Sequence, residues 1–126
     1  MEPENIDFYS LGFNFIETKS MFVSDYREGG WNHKGIIPFG TFEISPGAGV
    51  LNYGQGIFEG MKALEAKNGD IVLFRPEENG KRLNKSAKRM LISEFDEAQF
   101  LKQVKEVVKA NRSEERRVGK ECATGC

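Results

Sequence analysis

LNYGQGIFEGMKALEAKNGDIVLFRPEENGKRLNKSAKRM, residues 51–90, decides how this chain reads. Its glycines at 54, 56 and 60 let backbone pass close to a ligand or to another chain segment. Ile57 to Leu64 reads as a strand interrupted by Gly60. Lys67-Asn68-Gly69-Asp70 is a turn signal, because Asn-Gly readily supplies positive φ. Ile71 to Phe74 follows as a short apolar strand, so the two runs form an antiparallel hairpin. Pro76 then suits the first turn of a helix, where its missing N–H costs nothing. Glu77 and Glu78 complement the positive helix end. Leu83, Ala87 and Met90 recur at i, i+4 and i+7 and give that helix one core-facing stripe. Gly80 weakens it by about 1 kcal/mol relative to alanine, a cost that close packing would explain.

Working outward, Phe13 and Phe15 lie two apart, as on one face of a strand. Arg27 to Asn32, REGGWN, reads as a turn between two strands. Thr41, Glu43 and Ser45 alternate with Phe42 and Ile44 in a half-buried strand pattern, which Pro46-Gly47-Ala48-Gly49 ends. Downstream, Asp96 is a natural N-cap with Gln99 completing a capping box, and Phe95 and Phe100 occupy the staple positions. Phe100, Leu101, Val104 and Val108 then mark the buried stripe of a second helix through about Ala110. The expected fold class is α+β, an antiparallel sheet with two helices.

Length and charge limit the alternatives. A chain of 126 residues points to one domain with a modest core. Eighteen basic residues against nineteen acidic ones leave a net charge of -1, which argues against nucleic acid as a partner. No apolar run is long enough to span a membrane. MEPENIDFYS lacks the basic start and apolar core of a secretory signal, so the expected location is cytoplasmic. Cys122 and Cys126, with His33 far away in sequence, fall short of a zinc ligand set, and no metal site is expected.

The chemistry-bearing residues are few. Arg82, Ser86 and Arg89 share one polar helix face, and an arginine fork suits phosphate recognition. By composition the same face, with Lys81, Lys85 and Lys88, reads first as a solvated basic surface. Tyr53 could offer its hydroxyl to a pocket whose apolar wall includes Phe58, although plain core packing is the better explanation of an isolated phenylalanine. GQGIFEG lacks the spacing of a dinucleotide fingerprint. No Ser-His-Asp or Cys-His arrangement is available.

LNYGQGIFEGMKAL, LFRPEENGKRLNKSAKRM and the earlier LGFNFIETKSMF, in that order and spacing, resemble branched-chain amino-acid aminotransferases, which are fold-type-IV pyridoxal phosphate enzymes. The resemblance runs from about Ile6 to Asn111. It implies the small N-terminal domain of such an enzyme. It also implies that Arg82 binds the cofactor phosphate, and that Tyr53, Phe58 and Phe13 line the substrate side-chain pocket. The family's Schiff-base lysine belongs to a large domain, and Lys62 does not match it. No catalytic residue is therefore expected in this chain, which should be inactive alone. The implied substrates are leucine, isoleucine or valine with 2-oxoglutarate, and the implied assembly is a homodimer. Other fold-type-IV enzymes, such as a D-amino-acid aminotransferase or an aminodeoxychorismate lyase, remain alternatives, as does a non-catalytic binding or dimerisation module. Finally, RSEERRVGKEC, residues 112–122, resembles the translation of a sequencing adapter. The expected division is thus a small domain at 1–111 and a non-native tail at 112–126.

Overall fold

The computed structural model describes residues 16–115, with side chains to 112. Phe13, the Phe13/Phe15 strand expectation, and both cysteines lie outside the described residues.

Two antiparallel hairpins and three helices make up the described residues. Strands β1 (Ser20–Arg27) and β2 (Gly30–Pro38) pair along their whole length, from Ser20 opposite Pro38 to Arg27 opposite Gly30. Glu28 and Gly29 join them, with φ of 54° and 81°. Two left-handed residues in a row make the tight turn whose twist matches the flanking strands. A register shift between Val23 and Ser24 bends the ribbon. Helix α1 (Gly49–Tyr53) is a short turn after the Pro-Gly segment. Strands β3 (Ala63–Glu65) and β4 (Ile71–Leu73) form the second hairpin. Its turn forms as the Asn-Gly signal predicts: Gly69 has φ 88°, and the Asp70 amide donates to Asn68 Oδ1 at 3.1 Å.

The α+β class holds, while the antiparallel pairing divides into two separate two-stranded sheets. Residues 41–45 form no strand, and only Ala63 and Leu64 of the 57–64 segment join a ladder. Both segments have the right alternation, but a strand also requires a neighbour to accept its backbone hydrogen bonds.

Helix α2 (Pro76–Arg89) starts with proline in its first turn, followed by Glu77 and Glu78, and ends with Lys88 and Arg89. Its buried residues are Asn79, Gly80, Asn84 and Ala87. The core stripe is therefore rotated from Leu83–Ala87–Met90 toward smaller and more polar side chains. Gly80 makes this possible: a Cβ there would lie 3.0 Å from Phe100 Cδ1.

Helix α3 (Glu97–Glu115) opens as its capping box predicts, with the Gln99 amide donating to Asp96 Oδ2 at 3.1 Å. The Phe95 and Phe100 rings sit 5.5 Å apart, and Trp31 extends the cluster, 6.4 Å from Phe95. The helix runs beyond the expected Ala110. Asn111 holds both main-chain groups of Ser20, each at 3.0 Å, while Arg112 Nη2 donates to the Gly69 carbonyl. One end of α3 thus ties the two hairpins together.

Candidate functional site

Residues 55–65 alternate between partly covered and exposed positions, as an extended chain must. Ile57, Glu59 and Met61 face inward, and Phe58 faces out. An inward carboxylate needs a partner, and α2 supplies two. Asn79 and Arg82, three residues apart, share one helix face. Arg82 Nε and Nη2 both donate to the Glu59 carboxylate, the latter to Oε2 at 2.7 Å. Asn79 Nδ2 donates to the same Oε2 at 2.8 Å and to the Gly60 carbonyl at 2.9 Å.

The pair is asymmetric. The Glu59 side chain is 10% exposed and that of Arg82 64%. The Arg82 hydrogen bonds hold the Glu59 carboxyl below the usual carboxylate range; partial burial opposes the shift and the Asn79 bond reinforces it. The same bonds raise Arg82 above its ordinary value, so the guanidinium is charged throughout the working range. Of its five N–H donors, two point at Glu59. Three remain, on a side chain that is 64% exposed. That donor set fits a phosphate group, which an arginine fork binds through paired N–H bonds.

The remaining sequence-predicted residues are placed differently. Tyr53, the last residue of α1, is 87% exposed, and Phe58 is 92% exposed. Neither joins the Glu59–Arg82–Asn79 cluster. Sequence reasoning missed Glu59 and Asn79 as members of the site. A signal for Glu59 was available: the two-residue alternation puts its charge on the covered face with Ile57 and Met61.

A concavity of about 330 Å³ lies between the first hairpin and the two long helices, lined by Trp31, His33, Leu83, Phe95, Phe100 and Gln103 among others. At its rim, His33 Nδ1 lies within hydrogen-bond distance of Gln103 Nε2, at 3.0 Å, and of Ser24 Oγ, at 2.8 Å. Among the described residues no carboxylate is hydrogen-bonded to the ring, so this is not the relay that activates a serine. Among the described residues, no group of three or more His, Cys, Asp or Glu side chains could hold a metal ion, and no helix is long and apolar enough to cross a membrane.

Fold and cluster define a small α+β unit that carries a fixed arginine at its surface. No family model matches the chain, but individual proteins do. It is 42% identical over 109 residues to the branched-chain-amino-acid aminotransferase of Helicobacter pylori, covering 86% of this chain and 32% of that protein. Branched-chain-amino-acid transaminase 1 of Bacillus subtilis is 42% identical over 110 residues, 86% of this chain and 31% of that protein. Branched-chain-amino-acid aminotransferase 3, chloroplastic, of Arabidopsis thaliana is 46% identical over 113 residues, 88% of this chain and 27% of that protein. The chain is a homologue of the branched-chain amino-acid aminotransferases, and it spans about a third of the length of the curated relatives it matches.

Proposed function

We propose that residues 1–111 are the small domain of a pyridoxal-phosphate-dependent branched-chain amino-acid aminotransferase, and that 112–126 are a tail foreign to it. The carrying observation is identity of 42–46% to three such enzymes over most of this chain. The charged, partly unclaimed guanidinium of Arg82 in the KRL segment supports the same reading.

In the whole protein the reaction is reversible transfer of an amino group from leucine, isoleucine or valine to 2-oxoglutarate. Pyridoxal phosphate, when bound, supplies the electron sink for charge released at the substrate Cα. This chain's part is binding and orientation. Arg82 offers its outward N–H donors to the phosphate. Tyr53 and Phe58, with Phe13, form the apolar wall that branched side chains meet. Such a wall separates substrates differing by one methylene by only about 1–3 kcal/mol. The lysine that bonds the cofactor belongs to a large domain, so the 126-residue chain is inactive alone.

The exposure of large apolar side chains, Phe42, Phe58, Phe74 and Leu91 among them, supports assembly with further chain and with a second subunit. A homodimer in the cytoplasm completes the proposal. Extending the open reading frame past Asn111 at its genomic locus, then assaying leucine with 2-oxoglutarate, tests it. The extended protein should transaminate and this chain should not. Activity in the chain alone, or a locus that stops at Cys126, overturns the reading.

A further inference from the structure

We propose that Glu59, fixed by Asn79, is a positioning residue that sets the Arg82 guanidinium for its anion. The proposal rests on the reading of Arg82 as the phosphate contact. Glu59 itself touches no ligand and acts through Arg82.

The geometry has three parts. First, both carboxylate oxygens of Glu59 are engaged by Arg82, through Nε and through Nη2. A two-point contact fixes the plane of a guanidinium, where one bond would leave it free to swing. Second, Asn79 locks the carboxylate from the side. One amide group bridges Glu59 Oε2 and the Gly60 carbonyl, so side chain and adjoining backbone are held together. Third, the holder is covered and the held group is exposed, at 10% and 64%. The Nε edge is used up on the covered carboxylate, and the other donors belong to an exposed side chain. An unrestrained arginine loses rotamer freedom when it binds an anion; one already fixed loses little.

A simple charge argument predicts the opposite effect. Glu59 carries a negative charge close to where the anion would bind, so removing it should strengthen anion binding by reducing repulsion. Positioning predicts that its removal weakens binding. The sign of the change separates the two.

The test uses the full chain labelled with 15N and titrated with inorganic phosphate. Binding is followed by the 31P linewidth, and Arg82 order by hydrogen exchange at its Nε–H. In the unaltered chain the Arg82 Nε–H should exchange slowly. Glu59→Gln should speed that exchange and weaken phosphate binding by about three- to tenfold, the equivalent of one ordinary hydrogen bond. Glu59→Asp keeps the charge but is one methylene too short to hold both nitrogens. It should also weaken binding, whereas a charge-only effect would leave it unchanged. It is the variant to use if Glu59→Gln does not fold. Equal or tighter binding by either variant, with Arg82→Ala still abolishing it, overturns the positioning role and leaves the Arg82 reading intact. A phosphate response that survives Arg82→Ala, or none in the unaltered chain, overturns the reading beneath it.

Discussion

Asn84 satisfies both main-chain groups of Phe95: its Nδ2 donates to the Phe95 carbonyl at 2.8 Å, and its Oδ1 accepts the Phe95 amide at 3.1 Å. A buried side chain on α2 thus fixes the residue just before the α3 cap. Asn84→Ala leaves two backbone groups partnerless in a covered place, at about 1–3 kcal/mol each when fully desolvated. The expected loss is about 2–3 kcal/mol, read from the urea midpoint. Asn84→Asp keeps the shape but turns a carboxylate toward a carbonyl, and it should be destabilised as well.

The end of α2 closes through a left-handed Leu91, φ 55°. The Ile92 amide donates to the Ala87 carbonyl at 2.9 Å and the Leu91 amide to Lys88 at 3.3 Å. This closing geometry normally employs glycine. Leu91 is 88% exposed, so its side chain offers little packing in return. Leu91→Gly should raise stability by about 0.5–1 kcal/mol, after the larger entropy of an unfolded glycine is subtracted. Thermal melting would show it as a higher Tm.

Gly80 presents the reverse case. Alanine would recover about 1 kcal/mol of helix propensity. Its methyl, however, would press on Phe100, whose ring already packs at a tilt against Phe95. Overpacking costs about 1–3 kcal/mol, so Gly80→Ala should be net destabilising, by about 1 kcal/mol. Denaturant unfolding of the two proteins checks the sign.

Acid should unlock the Glu59–Arg82 pair. Glu59 titrates below the usual carboxylate range because Arg82 stabilises its charged form. Its contribution to stability is therefore complete above the unfolded-state pKa and disappears as pH falls through the lower folded value. Glu59→Gln never carries that contribution. The stability gap between the two proteins should be constant near neutrality and shrink in acid, as measured by urea midpoints across a pH series. A gap that widens in acid would contradict the pairing.

Much of the fold was legible because it follows local rules. Asn68-Gly69, Pro76 with Glu77 and Glu78, and Asp96 with Gln99 each specify a turn or helix end within a few residues. The two-residue alternation through Glu59 was also visible, but that part of the segment joins no ladder. Pairing depends on which other strand comes alongside, and residues 41–45 find none. Within the site, Arg82 stood out by motif and charge. Glu59 and Asn79 did not, because only docking of the 55–65 segment on α2 brings them to it.

The sequence by itself determined the two long helices with their opening turns, the two hairpin turns and the candidate arginine, all set by neighbours along the chain. Only the tertiary structure decided which groups meet: Asn111 with Ser20, Asn84 with Phe95, and Glu59 with Arg82. Those pairs are 91, 11 and 23 residues apart. A covered polar group takes whatever partner the packing of helices and hairpins brings within reach, and no local pattern encodes that distance.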